Sequence, residues 1–211
     1  MAKHHLIISG TGRAGTTFLM QLFTELGLDT GFSNANTDVN LNSNAGMEWN
    51  IRNANAPYIV KSPAMDKDLE ALLPGGEIAV DCAIIPIRDL YAAAESRRAV
   101  QRNLRQRNLP GGLVLTENPE EQEAALAVAF HRLVHTLAKH DVPMIWLHFP
   151  RLVNDSAYLY GKIKSLLPDH DLESFSRAFR AVSRPHLVHA FEAKTAAEKP
   201  APRGLKTWFR K

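Results

Sequence analysis

Hydrophobic residues fall along this chain in two spacings that take turns. Leu6-Ile7-Ile8 is a short apolar run bounded by polar residues, and Phe18 to Leu28 repeats its apolar positions at helical spacing. Tyr58-Ile59-Val60 is a second short strand candidate. Asp66 to Leu73 reads as a short helix stopped by Pro74-Gly75-Gly76. Val80 to Ile87 is the most apolar run and predicts a central strand buried on both faces. Pro86 is awkward there and is expected to mark where the strand leaves the sheet. Leu90 to Leu104 is helical in character, and Leu109 to Asn118, with Pro110-Gly111-Gly112, is a loop. Pro119 to His140 predicts a long amphipathic helix, with Asn118 as its cap, Pro119 in first position and Glu120, Glu121 and Glu123 at its positive dipole end. Met144 to Phe149 is a further strand, and helices are expected over Ser156 to Leu167 and Leu172 to Val182. Strands alternating with helices predict an α/β fold. Its form is a three-layer sandwich with a central, mostly parallel sheet flanked by helices.

At 211 residues, one α/β domain over 1–211 is expected, with 194–211 a basic, proline-containing tail that is a loose extension or a capping flap. Apolar content of 45% supports a sizeable core. The net charge of +3 suits an anionic ligand without implying nucleic acid. The single cysteine, Cys82, excludes an internal disulfide and reads as buried filler. No apolar run approaches a membrane span, and Lys3-His4-His5 does not open a signal peptide, so a cytoplasmic protein is the default.

The chemistry concentrates where the first strand meets the first helix. Ser9-Gly10-Thr11-Gly12-Arg13-Ala14-Gly15-Thr16-Thr17 is a glycine-rich loop that opens a helix, where unpaired N–H groups and a positive dipole end meet an anion. Arg13 adds a fixed charge, and Thr16 and Thr17 add hydroxyls. Gly10 to Thr17 follows the outline of a Walker A loop, but Thr16 stands where its lysine belongs. An ATP-dependent kinase needs that lysine, so a different phosphate compound is expected. Two more predicted strand ends carry cations, Lys61-Ser62 and Arg88, and in parallel sheets ligands bind beyond such ends.

Phe32 to Asn50 is long, polar and rich in asparagine, and its acids are Asp38 and Glu48. A loop of that length is usually functional. Arg97, Arg98, Arg102, Arg105 and Arg107 make the helix over 97–107 basic, as a solvated face or a docking surface for an anionic substrate. His131 and His135, four apart, read as partly buried histidines, since no third metal ligand accompanies them.

These residues resemble the PAPS-dependent sulfotransferases, P-loop NTPase-like α/β enzymes. Gly12-Arg13-Ala14-Gly15-Thr16-Thr17 is similar to the family's 5′-phosphosulfate loop, and Phe18 falls where some members stack on adenine. Arg88, ending a strand, with Ser96 eight residues on, resembles the motif that holds the 3′-phosphate. Val60-Lys61-Ser62-Pro63-Ala64 resembles a segment whose lysine helps at the reacting centre. The resemblance implies transfer of a sulfuryl group from 3′-phosphoadenosine-5′-phosphosulfate (PAPS) to a hydroxyl or amine of an acceptor, with a carbohydrate or a small metabolite among the open choices. Adenosine 3′,5′-bisphosphate would be the product, and no metal is needed. Arg13, Lys61 and Glu48 would be catalytic, and Gly12 to Phe18 with Arg88 and Ser96 would hold the nucleotide. Pro63 replaces the family's histidine base, which makes a carboxylate the expected base, Glu48 first and Asp38 second. The C-terminal nucleotide segment has only a faint echo in Arg203-Gly204-Leu205-Lys206-Thr207-Trp208. A P-loop kinase and a non-catalytic nucleotide-binding protein stay open. The acceptor and the oligomeric state are unreadable at this level.

Overall fold

A computed structural model describes residues 2–40, 45–63, 65–188 and 191, so the tail over 194–211, with its Arg203 to Trp208 segment, lies outside the described residues. Strand β1 (Lys3–Ile8) leads through the glycine-rich loop to α1 (Thr16–Glu25). The polar segment then carries an antiparallel pair, β2 (Val39–Asn40) and β3 (Ala45–Gly46). Next come β4 (Ile59–Lys61), α2 (Asp66–Leu72), β5 (Ile78–Ile87), α3 (Leu90–Gln106) and α4 (Gln122–Lys139). The chain continues with β6 (Met144–His148), α5 (Arg151–Asn154), α6 (Ser156–Ile163) and α7 (Leu172–Val182).

The central sheet is four-stranded, in the order β4-β1-β5-β6, and every pairing is parallel. Alternation along the strands builds two cores, one on each face. Leu6 and Ile8 of β1 and Ile84 of β5 pack with α1, α6 and α7. Ile7, Ala83 and Ile85 point the other way, to α2 and α4. The result is the expected three-layer α/β arrangement. Because α1 and α2 cover opposite faces, the chain changes side between β1 and β5. A crevice opens at the carboxyl ends of neighbouring strands that diverge in this way.

Pro86 does not end β5: it stays in the strand, in register with Leu147 of β6. Ala83 and Ile87 bond towards β6, through Pro143 O and Phe149 N, whereas Ile84 bonds towards β1, at Ser9 N. By alternation, the N–H that Pro86 lacks would point to the β1 side, beyond the last β1–β5 pair at Ile8 and Ile84. No ladder bond is lost there. The same position brings Pro86 O to 3.1 Å from where a Cβ on Gly10 would sit.

Asn118 caps the fourth helical segment as expected, accepting from Glu120 N, but Pro119–Glu121 is a 3-10 turn ahead of α4. His131 and His135 are exposed rather than partly buried, with rings stacked 6.0 Å apart. Cys82 is buried within the core on the α1 face. Among the described residues, no helix is long and apolar enough to cross a membrane.

Candidate functional site

Strand order places three predicted chemical ends side by side. Ile8, last in β1, is in register with Lys61, last in β4, and with Ile84 of β5, which runs on to Arg88. The loop from Ser9 to Gly15 rises between them. Gly12, Arg13 and Gly15 adopt φ of 68°, 56° and 86°, a left-handed curl that turns successive peptide N–H groups to one side. No side chain caps α1 and its first turn holds no acid, so its N-terminal N–H groups and dipole remain available to an anion.

Arg88, just past β5, and residues of α3 grip the loop from its other side. Arg88 Nη1 donates to Arg13 O at 2.8 Å, and Arg97 Nη2 donates to Thr11 O at 3.0 Å. Arg13 Nε donates to Ser96 Oγ at 3.1 Å. Arg13, Arg88 and Ser96 therefore form one cluster, and Arg13 leans towards Ser96 more than the sequence implied. Ser9 Oγ donates to Ser62 O at 2.8 Å and ties the loop to the end of β4.

Lys61 holds the opposite wall. It is 1% exposed and donates to Gly46 O and Glu48 Oε1, each at 2.9 Å, and to Thr17 Oγ1 at 3.4 Å. These bonds fasten the end of β3 over the helix start. Met47, fully buried beneath, and the Trp49 Nε1 bond to Thr30 O anchor the same segment. Glu48 itself keeps 47% of its side chain exposed.

A cavity of about 510 Å³ joins these groups, lined by Gly12 to Phe18 (Ala14 apart), Glu48, Lys61, Arg88, Ser96 and Arg97, among others. Ala14 is fully buried and supports the loop from below. Phe18 is 8% exposed and meets Phe179 edge-on at 5.3 Å, so it borders the cavity as part of its wall. Asp38 is exposed and lines a smaller hollow next door with Glu48.

Positive charge gathers around this cavity and is poorly solvated there. Burial pushes Arg97 down to about 10, and neighbouring Arg13 adds to the shift. Arg88 falls to about 10 for the same two reasons, with Asp89 opposing. Arg13 is lowered by burial. Lys61 is lowered chiefly by burial, against the pull of Glu48. Four cations thus crowd one pocket, each losing solvation and several repelling Arg13 or one another. Glu48 and the exposed Glu25 line the cavity, and Asp89 next to Arg88 already accepts through Oδ1 from Ala92 N as the cap of α3. An oxyanion ligand would relieve that imbalance.

No family model, curated protein or solved structure matches the chain.

Every cofactor-binding and catalytic residue expected from the sequence stands in or under this one cavity, apart from the second-choice base Asp38. Arg97 is the residue that sequence reasoning missed, because it stood in a run of arginines read as a single basic face. Arg98 is mostly covered as well, donating to Pro119 O ahead of α4, whereas Arg102 is exposed. Arg98 pairs with Glu95 and Glu123, and Arg102 pairs with Glu95. A signal was present: Ala93, Arg97 and Gln101 lie at i, i+4 and i+8, on one helix face with small or polar neighbours, and all three are buried.

Proposed function

We propose that the protein is a sulfotransferase that moves a sulfuryl group from PAPS to a hydroxyl or amine. One observation carries this reading: Arg88 and Ser96 both touch Arg13, so a second anion-holding pair is continuous with the phosphate-type loop. A ligand phosphorylated at two places, with one anion at the start of α1 and another at Arg88, would match that layout.

The donor supplies a sulfuryl group on a phosphate leaving group. An acceptor oxygen forms a new bond to sulfur as the sulfur–oxygen bond to the 5′-phosphate breaks, with the electron pair leaving on the bisphosphate and the proton going to a base. Glu48 would take that proton, since Oε1 is held by Lys61 while half of the side chain faces solvent and cavity. Lys61, Thr17 and the N–H groups at the start of α1 would neutralise charge that grows on the leaving oxygen. Arg88 and Ser96 would hold the 3′-phosphate, for which arginine's planar fork is well suited. Val39 and Ala45 line the cavity with Glu48 and would form an apolar part of the acceptor's wall.

The test is calorimetric. Adenosine 3′,5′-bisphosphate is expected to bind more tightly than ATP with Mg²⁺. A preference for ATP would overturn the reading, and tight bisphosphate binding without transfer across an acceptor panel would reduce it to a nucleotide-binding protein.

A further inference from the structure

Arg97 is the buried cation that the proposed reaction leaves unused. It is 7% exposed and follows Ser96 on α3. Among the described residues, only Nη2 of its guanidinium nitrogens has a hydrogen-bond partner, the carbonyl of Thr11. Nε is sealed from solvent with no partner among the described residues. One neutral carbonyl and the half-exposed Glu48 carboxylate do not offset the desolvation of a whole guanidinium, least of all beside Arg13 and Lys61. The loop makes room for this group: a Cβ on Gly12 would collide with the Arg97 guanidinium and lie 3.1 Å from Pro63 Cβ. The guanidinium therefore lies between loop and β4 end, on the side of Lys61 and Glu48, and lines the cavity there. Arg88 and Ser96 lie instead beside Arg13.

We propose that Arg97, with the buried charge of Lys61 beside it, forms an oxyanion subsite at the Glu48 end of the cavity, separate from the Arg88–Ser96 pair, that takes the oxygens of a sulfuryl or carboxylate group. Two sources of such an oxyanion fit: the group in transit on the donor, or an acid substituent on the acceptor beside the reacting hydroxyl. Only the identity of these sources rests on the sulfotransferase reading. The subsite itself rests on the buried, under-bonded guanidinium.

Calorimetry on the wild type, Arg97→Met and Arg97→Lys separates the outcomes, with thermal melts to establish folding. The probes are inorganic sulfate, adenosine 3′,5′-bisphosphate and PAPS. On bisphosphate-saturated protein, where the other anion positions are filled, removing a charge-assisted hydrogen bond is expected to weaken sulfate about 10- to 100-fold in Arg97→Met. Bisphosphate affinity should stay within about 3-fold, since it occupies the other contacts. Arg97→Lys keeps the charge but not the fork and should weaken sulfate by a smaller factor. If PAPS weakens in parallel with sulfate, the oxyanion is the donor's sulfuryl group. If PAPS is unchanged but sulfate no longer binds to the bisphosphate-saturated variant, the subsite serves an acidic acceptor. Unchanged sulfate and PAPS binding in either folded variant overturns the proposal. Loss of sulfate binding in a protein whose wild type ignores bisphosphate would instead overturn the sulfotransferase reading and keep the subsite.

Discussion

Lys61→Met separates stability from function at one position. Lys61 is 1% exposed, and its ammonium makes two bonds at 2.9 Å, to Gly46 O and Glu48, with a longer one to Thr17. Two charge-assisted bonds at about 1.5–3 kcal/mol each give a gross gain of about 3–6 kcal/mol. Taking the ammonium out of water costs several kcal/mol, of the same order and opposite sign. Methionine fills a similar volume and leaves behind one carbonyl and a carboxylate that is 47% exposed and can turn to water. The net change should fall within about 1 kcal/mol, a Tm shift of about 2–4 °C for a chain of this size. The bisphosphate release rate from PAPS with an acceptor should fall by a factor on the order of 100 or more, as when one oxyanion donor is removed. Alkaline melts supply the sign. Burial lowers the folded Lys61 pKa below its ordinary 10.5, so above the folded value and up to 10.5 the unfolded chain binds more protons. Stability from this group therefore rises with pH through that window, and the methionine variant should lack the rise. Arg88 and Arg97 shift in the same direction but are common to both proteins, so the difference isolates Lys61. A Tm drop above about 10 °C would make Lys61 a structural clip, and unchanged turnover would remove it from the chemistry.

Glu48→Ala should keep bisphosphate affinity and lower turnover by about 100-fold or more, read in the same release assay; normal turnover would remove Glu48 as base. Arg88→Met and Ser96→Ala should weaken adenosine 3′,5′-bisphosphate by about 10-fold or more while sparing adenosine 5′-monophosphate, measured by calorimetry. Equal losses for both ligands would place the 3′-phosphate elsewhere. Gly12→Ala forces a Cβ into the Arg97 guanidinium at a φ of 68°, so it should cost about 2–4 kcal/mol in denaturant melts and abolish sulfate binding. A stable variant that still binds sulfate would show that the loop and Arg97 yield more than their packing suggests.

Much of the frame is written in local pattern. The β5 run, the capped start near Asn118 and α7 over Leu172–Val182 follow from hydrophobic period and capping chemistry, which act over a few residues. The glycine-rich loop is equally local, because left-handed φ at Gly12 and Gly15 and an uncapped helix start need only neighbours in sequence. The β2–β3 pair was not legible. Two residues on each side carry no periodicity, and what fixes that segment is Lys61, 15 residues beyond Gly46. Pro86 misled for a related reason: whether a strand proline is tolerated depends on which edge has already lost its partner.

Residue types at the ends of β1, β4 and β5 were set by the sequence alone, as was the missing Walker lysine. Tertiary structure decided that those ends are neighbours, because the sheet order β4-β1-β5 comes from burying two faces at once and is not encoded in any single segment. It also decided which arginine of a basic helix turns inward. Charge is the same at Arg97, Arg98 and Arg102, but only Arg97 lies on the helix face pressed against the loop, where a glycine leaves room for its guanidinium.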